Sequence, residues 1–335
     1  MRKATIKDVA KIAGVSTSTV SRVLSGNTSI SIATAEKVRY AAEKLGYIPN
    51  TAARCLRCDK SKSIGVVLPD ISGEFYSLCA SSILKYARSA GYTVLFIESG
   101  NDLSSETEGV NILLQHGVDG MIFIGGGIDA SLIQEISKEV SVVTGDRKVK
   151  NVPSVTFNNR VTVKKLTQSL YKSGFRKFLY LGESFNSFDN LSDRYAGFND
   201  AINNYHDATA ITILEDSLHG DKLSVSFELF ENKISTLMPE VIITSNDLIA
   251  QGIISASYKC GIKIPEQISV TGFDDMTSSA YYTPSVTTVR QDADKLSKIC
   301  FNTLIDMIEN KPVSSSEINQ EIIIRKSADI KEGTL

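Results

Sequence analysis

Short hydroxyl side chains and one arginine form a polar cluster near the start of the chain that is suited to contacting the edges of DNA bases. Thr17, Ser18, Ser21 and Arg22 fall within one segment, TSTVSRVL. The guanidinium fork of arginine matches O6 and N7 of guanine, and small hydroxyl side chains can approach bases closely. The pattern predicts direct base contacts, although a small helical bundle with an ordinary polar face would show the same spacing.

Polar side chains also follow several apolar runs later in the chain. Asp146 follows VSVVTG, Asn246 and Asp247 follow VIIT, and Asp274 and Asp275 follow ISVT. In open α/β sheets, ligands bind beyond the carboxyl ends of the strands. Carboxylates and amides that meet in one cleft suit a polyhydroxylated ligand, whose hydroxyls each donate and accept. Helix caps would explain Asn246 or Asp247 equally well, and a solvated loop would explain Asp275.

The segment that carries the hydroxyl cluster is predicted to form two short helices joined by a tight turn. Thr5 is a helix N-cap with an aspartate three residues on, Gly14 permits a left-handed turn residue, and Ser16 caps the second helix. A helix-turn-helix places its second helix in the major groove. A third helix, from a cap at Ser31 to a stop at Gly46, closes this head.

Short runs of apolar and β-branched residues alternate with helical stretches after the head. Such alternation implies parallel sheets covered on both faces, and two series of runs predict two doubly wound α/β subdomains. The predicted strands span residues 63–68, 93–98, 120–124, 140–144, 155–157, 177–181, 210–214, 241–244 and 268–271. The tail is predicted to hold one helix from about Asp292 to Glu309 and a strand over 321–324, and it can cross back between the lobes.

Charge is distributed unevenly along the 335 residues. The net charge is −2, yet residues 1–62 carry 12 Lys and Arg against 4 Asp and Glu, while the remainder carries 24 against 34. A basic head on an acidic body is expected when one end alone contacts phosphates. We find no apolar run of membrane-spanning length and no apolar signal core after Met1, which predicts a cytoplasmic protein.

Features that would indicate an enzyme or a metal site are weak. Five cysteines without an export signal argue against disulfides, and Cys55 and Cys58 lack a second ligand pair for zinc. The three histidines stand outside any recognisable nucleophile motif, and the glycines at 125–127 match no nucleotide-binding fingerprint. We therefore expect no enzymatic activity, no cofactor and no metal.

Residues 5–57 closely resemble the DNA-binding head of the LacI/GalR family of bacterial transcription regulators. The likeness rests on TIKDVAKIAGVSTSTVSRVLSG and EKLGYIPNTAARCLR, and it runs without a gap from Thr5 to Arg57. It implies a set of candidate DNA contacts in the head and the segment after it. These are Thr5, Ser16, Thr17, Ser18, Ser21, Arg22, Asn27, Asn50, Arg54 and Leu56.

The segment Thr51–Cys58 has helical composition but spans only about two turns, which is too short to be stable alone in water. The resemblance implies a hinge helix that folds when two subunits bring two copies together on DNA. Leu56 would then wedge into the minor groove and bend the duplex. The alternative is that Leu56 is a linker residue packed on the body.

The same resemblance assigns effector-binding positions in the body. The matching segments are ISGEFYS, VTGDR, RYAGF, SND and GFDD. They imply Phe75, Tyr76, Asp146, Arg194, Asn246 and Asp274 as effector contacts. The loop GDKLS departs from the family, because Lys222 and Leu223 stand where several sugar-binding members present an aromatic platform. This departure leaves purines, nucleosides and phosphorylated sugars open as ligands.

The sequence thus predicts a helix-turn-helix domain (1–48), a hinge and linker (49–62) and an effector-binding and dimerisation domain (63–335). The last divides into an N-subdomain (about 63–159 and 292–320) and a C-subdomain (about 160–291 and 321–335) that resemble periplasmic binding proteins. The predicted function is a homodimeric repressor whose affinity for double-stranded operator DNA is set by a small polar metabolite such as a sugar. The alternatives are a small-molecule-binding protein or a corepressor-dependent regulator that senses a purine or nucleoside.

Overall fold

The computed structural model describes residues 4–24, 30–47, 61–100, 102–125, 129–185 and 189–334. The chain divides into two compact units, Met1–Ser61 and Lys62–Leu335, which we call the head and the body. Within the described ranges, no helix has the length and apolar character needed to cross a bilayer.

The described part of the head contains helices α1 (Ile6–Ala13), α2 (Thr17–Leu24) and α3 (Ile32–Lys44). Asp8 Oδ2 accepts hydrogen bonds from the Thr5 amide at 2.9 Å and the Thr5 hydroxyl at 2.6 Å, which fixes the start of α1. Gly14 has φ 67°, the left-handed conformation that glycine adopts without strain. Ser16 Oγ accepts from the Thr19 amide at 3.1 Å and caps α2. The predicted two helices and turn are confirmed.

One lobe of the body is built on a six-stranded parallel sheet. Its strands are β1 (Ser63–Leu68), β2 (Thr93–Glu98), β3 (Gly120–Ile124), β4 (Ser141–Gly145), β5 (Ser154–Phe157) and β11 (Ser316–Ile318), in the order β11-β5-β4-β3-β1-β2. The helices of this first lobe are α4 (Glu74–Ser89), α5 (Leu103–Gln115), α6 (Ala130–Ile136) and α13 (Ala293–Ile308). Apolar side chains of α4 and α13 form one buried core with β1, β3 and β5, and those of α5 and α6 form a second core with β1, β3 and β4. The sheet is therefore covered on both faces, as predicted.

The second lobe has a four-stranded parallel sheet. Its strands are β6 (Lys177–Gly182), β7 (Thr209–Leu214), β8 (Val241–Thr244) and β9 (Ser269–Thr271), in the order β7-β6-β8-β9. Beside it lies an antiparallel ribbon of β10 (Thr288–Arg290) and β12 (Glu321–Ile323). The helices are α7 (Asn159–Ser173), α8 (Asp189–Ile202), α9 (Lys222–Leu229), α10 (Ser235–Leu237), α11 (Asp247–Lys259) and α12 (Thr277–Tyr281).

The chain passes between the lobes at three places. The passages run from β5 to α7, from β10 to α13 and from β11 to β12. The predicted α/β class with two parallel sheets is confirmed. Strands β1, β2, β3 and β8 have the predicted bounds, while β4–β7, β9 and β12 shift by one residue at one or both ends. The three-residue strands β10 and β11 were not predicted.

Candidate functional site

A cavity of about 210 Å³ lies between the carboxyl ends of the two parallel sheets. The six predicted effector positions, Phe75, Tyr76, Asp146, Arg194, Asn246 and Asp274, all line it. Asp146 directly follows β4, and Asn246 and Asp274 lie in the loops after β8 and β9, where ligands of such sheets bind. The structure therefore brings the predicted residues to one place, while their role in binding stays a prediction.

Arg194 is almost fully buried, with 4% of its surface exposed. Its Nη1 donates to the Ser245 carbonyl oxygen at 2.6 Å and lies 3.8 Å from Asp274 Oδ1. The guanidinium carbon sits 3.8 Å from the centre of the Phe273 ring, in a cation–π contact. Nε has no hydrogen-bond partner among the described residues. One donor of this arginine thus lacks an acceptor among the described residues.

Helix α8 holds Arg194 at the cavity by packing closely on the start of α7. A Cβ atom on Gly197 would lie 2.3 Å from the Arg160 carbonyl oxygen, so only glycine allows this approach. Phe198 is completely buried and anchors the next turn. This packing explains the segment RYAGF, whose glycine and phenylalanine position the arginine without touching the cavity.

Asp274 faces Arg194 from the end of β9. Its Oδ1 accepts from Gln291 Nε2 at 2.6 Å, while Gln291 Oε1 is buried without a hydrogen-bond partner in the described structure. Burial raises the pKa of Asp274 to about 7, against the opposing effect of the Arg194 charge. The Asp274 carboxylate can therefore accept a hydrogen bond from a donor group of the ligand.

Asp146 lies at the end of β4 on the first lobe. Its Oδ2 accepts from the Asn190 amide of the second lobe at 3.0 Å, and its Oδ1 is buried with no partner in the part of the chain described. Burial raises the pKa of Asp146 to about 6, although the Arg194 charge lowers it. Asp146 and Asp274 adopt φ of 54° and 116°, and such strained backbone is common at functional sites.

Phe75 and Tyr76, at the start of α4, form an aromatic wall of the cavity. Their ring centres are 5.4 Å apart in an edge-to-face arrangement, and Phe157 supports Phe75 at 6.3 Å. Burial and the nearby Asp146 raise the pKa of Tyr76 above its ordinary value, so its hydroxyl is a neutral donor and acceptor.

The polar network that includes Asn246 was only partly predicted. Asn246 Oδ1 accepts from the Ile249 amide at 3.0 Å as the N-cap of α11, and its Nδ2 donates to Glu183 Oε1 at 2.9 Å. Lys222 Nζ lies 3.4 Å from the same oxygen, and Glu183 Oε2 accepts from the Ser245 hydroxyl. The helix-cap interpretation of Asn246 is thus correct, and the residue also lines the cavity.

Several lining residues were not among the predicted contacts. They are Pro69, Asp70, Glu183, Asn190, Leu191, His219, Lys222 and Gln291. Glu183 follows β6 directly, so the strand-end argument could have selected it. Gln291 follows β10, a strand too short to be predicted, and no sequence signal pointed to it.

Two aspartates beside the site serve the fold. Asp247 is fully buried and accepts from the Met276 amide at 2.8 Å and from the hydroxyls of Ser279 and Thr288, both at 2.6 Å. Asp275 pairs with Arg290 Nε at 2.7 Å and with Arg325 Nη2 at 2.6 Å. The solvated-loop explanation of Asp275 is therefore wrong, because two arginines hold it.

In the head, the predicted cluster of hydroxyl side chains and arginine lies on α2. Thr17, Ser18 and Arg22 are exposed on α2, and Ser21 is half-buried, while Val20 and Val23 pack inward. Thr5 and Ser16 are exposed at the starts of α1 and α2. Four other candidates lie outside the described residues. They are Asn27, Asn50, Arg54 and Leu56.

No group of His, Cys, Asp and Glu within the described ranges could hold a metal ion. Cys55 and Cys58 lie outside those ranges.

Comparisons with known proteins find matches to both the head and the body. Residues 5–50 match the family "Bacterial regulatory proteins, lacI family", and residues 167–328 match "Periplasmic binding protein-like domain". The HTH-type transcriptional regulator RegA of Clostridium saccharobutylicum is 30% identical over 331 residues, covering 96% of this chain and 98% of that protein. The HTH-type transcriptional repressor PurR of Photobacterium profundum is 29% identical, covering 97% and 98%.

Two solved structures are similar over long stretches. The lac repressor dimer bound to operator and the anti-inducer ONPF has a TM-score of 0.84 at 25% identity, covering 97% of this chain and 99% of that one. A periplasmic binding protein/LacI transcriptional regulator from Alkaliphilus metalliredigens, complexed with D-xylulofuranose, has a TM-score of 0.71 at 25% identity, covering 80% and 99%.

Proposed function

This chain belongs to the LacI family of bacterial transcription regulators, and on that premise we propose that the cavity between its lobes binds the metabolite that controls its affinity for operator DNA. The protein is a DNA-binding repressor and, we infer, not an enzyme. A repressor acts where the chromosome is, so we place it in the cytoplasm. The head would bind DNA through α2, and the body would sense the metabolite.

One observation carries the assignment of the cavity. Arg194 Nε, Asp146 Oδ1 and Gln291 Oε1 are buried polar atoms that lack a hydrogen-bond partner among the described residues. Leaving such an atom unpaired costs about 1–3 kcal/mol. A ligand that forms hydrogen bonds with all three atoms would remove this cost, and its affinity would be higher for that reason. A polyhydroxylated molecule such as a sugar or sugar derivative supplies both donors and acceptors.

The proposed mechanism couples two equilibria, the binding of effector in the cavity and the binding of operator DNA by the head. Asp146 stands on the first lobe, whereas Arg194, Asp274 and Asn190 stand on the second, so a ligand that contacts them all favours one arrangement of the lobes. If the two copies of residues 49–62 in a dimer must meet on DNA, that arrangement sets operator affinity. Linkage requires that operator change effector affinity by the same factor.

We also propose a homodimer that uses an exposed apolar face of the body. Tyr258 on α11 and Tyr281 on α12 are 89% and 84% exposed, and Leu78 on α4 is 49% exposed. Helices α11 and α12 are adjacent, because Gln251 Nε2 donates to Ser278 Oγ at 2.8 Å. Helix α4 meets α12 where Glu74 Oε1 accepts from the Thr277 amide at 2.8 Å. A lac repressor dimer is among the similar structures. Sedimentation should show a dimer that Tyr258→Asp with Tyr281→Asp dissociates, while Val161→Asp on α7 does not.

The function is tested by selecting bound duplexes from a random pool with the purified protein. We expect a symmetric sequence whose affinity changes when a sugar, nucleoside or purine that raises the Tm of the body is added. A pool that yields no symmetric sequence would remove the DNA assignment. Stabilising ligands that leave operator affinity unchanged would remove the coupling.

A further inference from the structure

The cations that line the cavity already stand beside carboxylates. Lys222 Nζ is 3.4 Å from Glu183 Oε1, and Arg194 Nη1 is 3.8 Å from Asp274 Oδ1. A phosphate or carboxylate on the ligand would have to compete with these internal partners for each cation. Lys222, which departs from the aromatic residue of sugar-binding relatives, is therefore explained by Glu183 and need not indicate an acidic ligand.

The buried carboxylates outnumber those two cations. Glu183, Asp146 and Asp274 all line the cavity, and the first two are each 5% exposed. Asp146 receives its hydrogen bond from a neutral group, the Asn190 amide, and keeps a buried oxygen with no partner in the described structure. A buried carboxylate is costly unless it is paired. The carboxyl groups thus outnumber these two cations, and Asp146 is the one of the three that forms no ion pair with the described residues.

The unpaired atoms and the aromatic wall point to the same kind of group. Two of the unpaired buried atoms accept, Asp146 Oδ1 and Gln291 Oε1, and one donates, Arg194 Nε. An ammonium group carries three donors and no acceptor. Phe75 and Tyr76 line the cavity together with Asp146, and aromatic rings attract cations that approach their faces.

We propose that the effector carries a protonated amino group that binds Asp146 beside the wall of Phe75 and Tyr76. The rest of the ligand presents hydroxyls to Arg194, Asp274 and Gln291, as in an amino sugar or an amino polyol. The inference rests on the proposed function of the cavity and narrows its ligand from polar metabolites in general to positively charged ones.

Amino sugars and their neutral and phosphorylated counterparts test whether the ligand is positively charged. D-glucosamine, D-galactosamine and D-mannosamine are compared with their parent hexoses, their N-acetyl forms and the hexose 6-phosphates, by thermal shift and then calorimetry. The expected result is that at least one amine binds about tenfold or more tightly than its parent, the size of one charged hydrogen bond, and that acetylation abolishes the gain. Equal or tighter binding of the neutral or phosphorylated forms overturns the inference, as does the absence of a Tm shift with all three amines.

A variant locates the amine. Asp146→Asn keeps the shape but removes the charge, so it should erase the preference of the amine over its parent hexose, while Glu98→Gln, at an exposed end of β2, should keep it. An undiminished preference in Asp146→Asn would overturn the placement. If a neutral probe binds as tightly as its amine or more tightly, and alters operator affinity, the proposed function stands and the amine fails. If an amine binds at Asp146 without altering operator affinity, the amine stands and the regulatory role fails.

Discussion

Glu74 and Thr277, 203 residues apart in the chain, join the two lobes through a single carboxylate oxygen. Glu74 Oε1 accepts from the Thr277 amide at 2.8 Å and from its hydroxyl at 2.6 Å. Thr277 begins α12, whose own N-cap residue, Met276, makes no side-chain hydrogen bond. A residue of the first lobe thus caps a helix of the second, which ties helix stability to the lobe arrangement.

We expect Glu74→Gln and Thr277→Val to be non-additive. Because they share hydrogen bonds across the lobes at an exposed site, their coupling should be about 0.5–1.5 kcal/mol in the free energy of unfolding. Urea unfolding of both single variants and the double variant measures it. Glu317→Gln is the control, since its partner Lys148, at 3.0 Å, lies in the same lobe. If the effects of Glu74→Gln and Thr277→Val were additive, the contact between Glu74 and Thr277 would not hold the lobes together.

A pair of matched substitutions separates ligand binding from folding. Asp274→Asn should weaken effector binding by about 1–3 kcal/mol, because a hydroxyl or amine loses its charged acceptor, with little loss of stability. Asp247→Asn should do the reverse, since its three donors to a fully buried carboxylate belong to the fold. Calorimetric titration and thermal unfolding of both variants measure the two effects. Wild-type effector affinity in Asp274→Asn would exclude that residue from the binding site.

Effector affinity should rise with pH. Burial raises the pKa of Asp146 to about 6 and of Asp274 to about 7, whereas a ligand that donates to these carboxylates favours their ionised forms. Binding therefore releases protons, and affinity should increase between about pH 5 and pH 8 by up to about tenfold per pH unit for each carboxyl. Calorimetry in buffers of different ionisation enthalpy counts the protons, and Asp274→Asn should release fewer.

The same two carboxyls affect stability in the opposite sense. Their pKa values in the folded protein exceed the ordinary value of about 4, so their stabilising contribution is complete below about pH 4 and is lost as the pH rises through about 6 and 7. In Asp146→Asn, the free energy of unfolding of the ligand-free protein should fall less over this range than in the wild type. An unchanged pH profile would contradict the pKa assignments.

In the head, Arg22→Ala should cost about 1–3 kcal/mol per base contact and relax specificity at one position in each half-site. Lys7→Ala, on the exposed side of α1, is the comparison, because we expect its charge to contact phosphates rather than bases, and loss of such a contact weakens all sequences alike. Selection on random duplexes with both variants distinguishes the two outcomes. An unaltered base preference for Arg22→Ala would mean that Arg22 contacts the backbone.

The residues that could be predicted are those whose position follows from a strand. Asp146 and Asp274 stand at the ends of apolar runs that are long enough to recognise, and parallel sheets bring such ends together. Gln291 follows a three-residue strand with one apolar residue, so periodicity gave no signal for it. Glu183 was within reach of the same argument, but its partner Lys222 begins α9, and the position of that helix depends on tertiary packing.

The three passages between the lobes also have a consequence for biosynthesis. Helix α13 and strand β11 complete the core of the first lobe with Leu296, Cys300, Leu304 and Ile318, although most of that lobe precedes residue 160. The ribosome must therefore deliver nearly the whole chain before either lobe can close. The head encloses its own core with Val9, Val20 and Val38, and it can form while the body is still being made. A nascent regulator would thus have a folded DNA-reading helix pair long before it has a metabolite sensor.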